Sequence, residues 1–252
     1  MRFIIQKING EIKHDFSFTL LESIRFINWL RENNNDDKIY AKYFNTAYEQ
    51  NEFIFKNCHK DYTPVGSVEF VSAHLKQFFN KTVIPLNVPE ELFNFTNRKI
   101  WNGNHMDVEN LDHQIFAKSN DKIKSFTGII DNILNLPVGN YQFSELIKID
   151  SEWRCFVYDN KLVGLQNYSG DFTIFPDVLT INLMINQYKS YAPIAYTLDV
   201  GVNSDIDGED ESNTFVIECH DFFSSAFYGF SEHKIIPYML NRWYYNYKND
   251  IK

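Results

Sequence analysis

Ala195-Tyr-Thr-Leu-Asp-Val-Gly-Val202 and Asn213-Thr-Phe-Val-Ile-Glu-Cys-His220 are two β-rich runs separated by an acidic, turn-rich loop. Asp207-Gly208, near the middle of that loop, is a dipeptide that favours tight hairpin turns. The spacing therefore predicts a hairpin. Asp199 and Glu218 are equidistant from the Gly208–Glu209 bond, so a symmetric hairpin sets them opposite each other. A turn centred on Asp207-Gly208 makes them diagonal neighbours instead. Side chains alternate along a strand, so either register leaves both carboxylates, and His220, on one face. Phe215, Ile217 and Cys219 fall on the other, which suits a core. Two facing carboxylates repel unless something positive lies between them, and a divalent cation is the natural candidate.

Working outward, 252 residues are enough for one large domain or two small ones. A net charge of −9 argues against non-specific binding to nucleic acid or to a membrane surface. The three cysteines, Cys58, Cys155 and Cys219, are far apart and form no C-x-x-C pair, so neither a zinc site nor a disulfide framework is suggested. The run Met1-Arg-Phe-Ile-Ile-Gln-Lys7 is too short for a signal peptide, and no apolar stretch reaches membrane length. These features set the expectation of a cytoplasmic chain without a membrane segment.

Met1–Ile5 reads as a first strand, and Thr19-Leu-Leu-Glu22 has capping-box spacing that predicts a helix opening there. Leu20, Ile24, Ile27 and Leu30 form its apolar stripe. Glu52-Phe-Ile-Phe-Lys56 reads as a strand, and Pro64-Val-Gly-Ser67 leads into a second helix with Val68, Val71, Leu75 and Phe78 on one side. Pro85 and Pro89 punctuate an irregular stretch, which places a boundary between an N-terminal region, 1–94, and a second region, 95–252. Short strands follow at Gln114–Lys118 and Tyr141–Ile149. Ser151–Tyr158 and Lys161–Asn167 form a hairpin closed by Asp159-Asn160, and helices are expected over Pro176–Tyr188 and Ser231–Tyr247.

Four pieces then arrive in a fixed order: Lys118 ending Phe116-Ala-Lys-Ser119; Glu145-Leu-Ile147, followed seven residues on by Glu152; Asp199; and Glu218-Cys-His220. This order resembles the ATP-grasp fold, and its R2K clade in particular. Ser151-Glu-Trp-Arg-Cys-Phe-Val157 is the closest single match, supported by Lys124-Ser-Phe-Thr-Gly128 and Pro64-Val-Gly-Ser-Val68. The resemblance implies an α+β chain in which a small N-terminal α/β region precedes two lobes that clamp ATP. Lys118 would contact the ATP phosphates, Lys99 would be an earlier phosphate lysine with Arg98 an equally good cation, and Lys124 would act from a phosphate-covering loop. Backbone groups of Glu145, Leu146 and Ile147 would meet the adenine edge, and Glu152 the ribose. Asp199 and Glu218 would hold Mg²⁺. His220, a third candidate metal residue, stands where the family usually has Asn; imidazole is a poorer magnesium ligand, which leaves open a phosphate contact, a metal position left to water or a preference for Mn²⁺. Arg154, two residues after Glu152 and on the same strand face, would act catalytically on the transferred phosphoryl group.

The implied reaction is ATP-dependent ligation of a carboxylate to an amine or thiol through an acylphosphate, with small-molecule or peptide substrates. A phosphotransferase on the same fold and a non-catalytic nucleotide-binding module are the alternatives. Other motifs are missing. Asn203–Gly208 resembles the start of a calcium loop but has Thr214 where the bidentate Glu belongs. There is no Walker A sequence, no G-x-G-x-x-G and no H-E-x-x-H.

Overall fold

The computed structural model describes residues 1–31, 38–48, 50, 52–106, 114–121, 125–131, 136–205 and 213–251. The first elements are β1 (Arg2–Ile8), α1 (Asp15–Arg31), β2 (Tyr40–Thr46), β3 (Thr63–Val65) and α2 (Val68–Phe79). Then come β4 (Ile100–Asn104), β5 (Ile115–Ser119), β6 (Thr127–Ile130) and β7 (Asn140–Glu145). The chain ends with β8 (Ser151–Tyr158), β9 (Lys161–Gly170), α3 (Val178–Tyr188), β10 (Ala195–Val202), β11 (Thr214–Asp221) and α4 (Ile236–Lys248). By packing, one compact unit comprises Met1–Thr82, Pro193–Tyr196 and Asp221–Lys252, and the other Val83–Ala192 and Thr197–His220. This division by packing is not a single cut along the sequence, because the C-terminal helix packs with the N-terminal elements.

In the first unit, a parallel sheet runs β2-β1-β3. Phe3, Ile4 and Ile5 of its central strand are all fully buried, as a strand covered on both faces requires. The helix predicted to open at Thr19 begins at Asp15 instead. Asp15 Oδ1 accepts from Phe16 N at 2.7 Å, and its Oδ2 accepts from Phe227 N at 2.8 Å, so the aspartate ties the helix start to the chain's C-terminal part. Thr19 lies within the helix, its hydroxyl donating to Asp15 O. Leu20, Ile24 and Ile27 are buried as expected, but Leu30 is exposed. Residues 52–56 are not a strand. The Gln77 side chain accepts from Phe55 N and donates to Phe55 O, which satisfies that backbone without a sheet partner. In α4, Met239, Leu240, Trp243 and Tyr244 are buried, and Asn241 donates to Thr63 at 2.9 Å.

The second unit holds two four-stranded sheets, ordered β4-β7-β5-β6 and β11-β10-β8-β9. In the first, β4, β5 and β6 pair antiparallel with their neighbours. One face builds a core from Ile115, Ala117, Tyr141 and Phe143. Alternation then puts Phe116, Lys118, Gln142 and Ser144 on the other face. β8 and β9 form the expected hairpin, and Asp159 and Asn160 have φ of 49° and 58°, the left-handed pair that a tight two-residue turn needs. Asp177 caps α3, accepting from Leu179 N and Thr180 N. The strand expected to continue to Ile149 stops at Glu145. The turn assigned to Asp207-Gly208 lies outside the described residues.

Candidate active site

At the end of β7 the chain leaves the sheet through Glu145, Leu146 and Ile147. Glu145 N donates to Lys99 O at 3.1 Å, and Lys99 N donates to Glu145 Oε2 at 2.9 Å, so this exit is fixed to the start of β4. Beside it a pocket opens within the second unit. Phe116, Ile147, Ile149 and Ile217 give it apolar walls, and all three exit residues line it. Its charged lining is Arg98, Lys118, Glu145 and Glu218. A pocket with a mostly apolar wall, edged by the chain exit and carrying two cations, suits a flat heterocycle with an anionic tail.

Arg98, not Lys99, reaches this pocket. Lys99 is exposed, its ammonium 5.5 Å from the centre of the Trp101 ring. The Arg98 guanidinium donates to Val216 O at 2.8 Å and Ile217 O at 3.2 Å, the residues just before Glu218. Burial pulls its pKa down to about 10, which leaves it a cation at neutral pH.

The second sheet supplies the carboxylates. Asp199 is 1 % exposed and holds the Arg154 guanidinium in a two-point pair, Nε to Oδ1 at 2.8 Å and a terminal nitrogen to Oδ2 at 2.6 Å. Along β11, Glu218 and His220 share a face by alternation, while Phe215 and Cys219 are fully buried. His220 Nε2 lies 2.8 Å from Glu218 Oε1 and 3.7 Å from Asp199 Oδ2. The Lys118 ammonium, reaching over from β5, pairs with Glu218. Burial pulls that ammonium down to about 8, while the Asp199 carboxylate pulls the other way. Glu152 accepts from the Tyr168 hydroxyl at 2.8 Å, and the Arg154 guanidinium lies 5.5 Å from the centre of the Tyr168 ring. Burial, with Asp199 and Glu152 nearby, pushes the Tyr168 phenol up, so it stays a neutral donor.

One ligand atom from each of Asp199, Glu218 and His220 lies within 4.8 Å of the others. Two hard carboxylate oxygens and an imidazole nitrogen converging this closely fit a divalent cation. The structure thus brings together Lys118, Arg154, Asp199, Glu218 and His220, and separately gathers Glu145, Leu146 and Ile147 around the pocket. Glu152 sits beside Tyr168 and is not part of the pocket lining. Lys124 lies outside the described residues. Sequence reasoning missed Tyr168, which carries no motif of its own and lies one residue past the expected strand Lys161–Asn167, on a strand that runs on to Gly170. It also missed Gln142, whose amide bonds both Val88 N and Val88 O and so braces the pocket rim.

Comparison with known proteins identifies the family and the fold. Residues 95–237, more than half of the chain, match the family described as ATP-grasp domain, R2K clade family 2. A search of curated proteins found no match. Among solved structures, the chain is similar to the D-alanine–D-alanine ligase from Bacillus anthracis complexed with ATP (TM-score 0.51, 12% identity, 99% of each chain covered). It is also similar to a RimK domain ATP-grasp protein from Sphaerobacter thermophilus (TM-score 0.54, 9% identity, 96% of this chain and 100% of that one). A third likeness is to N5-carboxyaminoimidazole synthetase from Staphylococcus aureus (TM-score 0.53, 11% identity, 100% of this chain and 79% of that one). At these identities the likenesses show the fold alone: an α+β ATP-grasp fold preceded by a small α/β region. With the family match over both sheets of the second unit, the chain belongs to the R2K clade, family 2, of the ATP-grasp domains.

Proposed function

We propose that this protein is an ADP-forming ligase that activates a carboxylate with ATP and joins it to an amine or, less often, a thiol. The observation that carries the reading is the junction of an apolar, backbone-edged pocket with the cluster of Lys118, Arg154, Asp199, Glu218 and His220. A solved structure of similar fold, the D-alanine–D-alanine ligase, holds ATP.

In this reading the adenine lies between Phe116 and Ile217, its polar edge against the backbone of Glu145, Leu146 and Ile147. Lys118 and Arg98 offer their cations to the phosphate tail, and Lys124 is a further phosphate contact. Glu152 accepts from the ribose or holds the Tyr168 hydroxyl that backs Arg154. Asp199, Glu218 and His220 would hold Mg²⁺, and the nitrogen donor would also suit Mn²⁺. A bound divalent cation would neutralise phosphate charge during transfer. Arg154 adds a fixed, planar positive group beside that position and helps stabilise the charge spread over the transferred phosphoryl group. The carboxylate oxygen attacks the γ-phosphorus, ADP leaves, and the amine displaces phosphate from the acylphosphate. No side-chain nucleophile takes part. Burial pushes the Cys155 thiol up, which makes it a poor candidate for one.

The substrates are small molecules or peptides carrying a carboxylate and an amine. A cytoplasmic setting belongs to the same proposal, supported by three free cysteines. No helix among the described residues is long and apolar enough to cross a membrane. The test is trapping with hydroxylamine in the presence of MgATP and a panel of carboxylates. A hydroxamate formed together with ADP supports the ligase. ADP with a phosphorylated alcohol would mean a phosphotransferase, and nucleotide binding without any turnover would mean a binding module.

A further inference from the structure

The cations and carboxylates of the candidate site are already matched with each other. Lys118 pairs with Glu218, and Arg154 holds both oxygens of Asp199. Both carboxylates are thus committed to cations of the chain, and both cations to carboxylates. His220 spans the two pairs, 2.8 Å from Glu218 and 3.7 Å from Asp199. Arg154 and Asp199 are almost wholly removed from water, and Lys118, Glu218 and His220 are partly so, which strengthens their interactions over those in bulk solvent.

A divalent cation entering alone would have to settle against Glu218 with the Lys118 ammonium still in contact. A polyphosphate entering alone would meet Lys118 beside the charges of Glu218 and Asp199. Each visitor by itself either breaks an ion pair and leaves one member without a partner, or approaches a group of its own sign. When both enter, every charge finds a new partner. The carboxylates turn to the cation and the lysine to the phosphates. We propose that metal and nucleotide bind here by partner exchange, with the Lys118–Glu218 pair acting as a latch that makes each dependent on the other. This rests on reading the cleft as a nucleotide and divalent-cation site. By linkage, the factor by which metal tightens nucleotide binding must equal the factor by which nucleotide tightens metal binding.

The latch makes an opposite-sign prediction for one substitution. Lys118→Met removes a phosphate contact but also frees Glu218. The nucleotide-free variant should therefore bind Mn²⁺ about tenfold more tightly than the wild type, while its affinity for a non-hydrolysable ATP analogue in chelator falls about tenfold. The experiment titrates Mn²⁺ into nucleotide-free protein by electron paramagnetic resonance. It also titrates the analogue calorimetrically, with chelator and with saturating Mn²⁺, correcting for the metal–nucleotide complex in solution. For the wild type alone, the expected result is weak binding of either ligand and coupling of about tenfold or more. Coupling alone would also arise from a cation that bridges carboxylates and phosphates, so if Lys118→Met does not fold, Lys118→Gln carries the same Mn²⁺ titration. Tight Mn²⁺ binding by the nucleotide-free wild type, coupling near unity, or Mn²⁺ affinity in Lys118→Met that is unchanged or lower would each overturn the latch while leaving the nucleotide site standing. Absence of analogue binding under every condition would overturn the reading of the cleft itself, and the latch with it.

Discussion

His220 is the residue at which this chain departs from the pattern it otherwise follows, and the geometry gives the departure chemical meaning. Its Nε2 stands 2.8 Å from Glu218 Oε1, close enough for the imidazole to join the carboxylates at one cation. Mg²⁺ favours oxygen donors and octahedral geometry, whereas Mn²⁺ accepts an imidazole nitrogen more readily. His220→Asn exchanges that nitrogen for an amide oxygen of similar reach. The ratio of nucleotide affinity with Mn²⁺ to that with Mg²⁺ should fall about tenfold in the variant, equivalent to about 1.4 kcal/mol. Titrations with each cation, side by side, provide the measurement. An unchanged ratio would mean that the imidazole serves Glu218 by hydrogen bonding and leaves the cation to the carboxylates.

At the scale of elements, the hairpin β10–β11 depends on a contact as much as on its pattern. A Cβ built on Gly201 would lie 2.7 Å from two ring carbons of Phe215 and 3.1 Å from Ile149 Cγ2. All of β10 is buried, so the ring has nowhere to retreat. Gly201→Ala should cost about 1–3 kcal/mol of unfolding free energy through overpacking. Adding Phe215→Leu should recover part of it, and a non-additive double-mutant cycle in urea is the check. Simple additivity would mean that the two strands do not meet as described. The same hairpin shows which parts of the fold the sequence makes legible. Alternation alone puts Glu218 and His220 on one side, and the Asp159-Asn160 turn declares itself by residue type. The start of α1 is not legible, because Asp15 is held by the backbone of Phe227, far along the chain. Nor is the choice of Arg98 over Lys99: adjacent cations look equivalent until the carbonyls of Val216 and Ile217 claim one of them. Long-range partners of this kind leave no local signal.

At the scale of the whole molecule, stability should depend on pH through the aromatic core of the first unit. His74 on α2 is fully buried, with ring centres 4.9 Å from Phe55, 4.8 Å from Phe78 and 5.8 Å from Tyr244. Its Nε2 lies 3.0 Å from His59 O and its Nδ1 3.4 Å from the Tyr244 hydroxyl, partners that suit a neutral ring. Burial pulls its pKa from the ordinary 6.5 to about 4, and the positive charge of Lys248 works in the same direction. The unfolded chain therefore takes up a proton near pH 6.5, which the folded chain refuses until about pH 4. Above the higher value the two states match and nothing is lost. As pH falls through the window the unfolded state gains, and by the lower value the loss reaches about 3 kcal/mol. His59 is also lowered by burial and adds to the same slope. Urea unfolding of the wild type between pH 7 and pH 4 should show the decline. His74→Gln removes the titration while keeping a side-chain donor within reach of the His59 carbonyl. The variant should be less stable at pH 7, where the imidazole packs best, yet flatter across the window. Two parallel curves would mean that the acid sensitivity comes from other groups, His59 among them, and that His74 takes up its proton as readily in the folded chain as in the unfolded one.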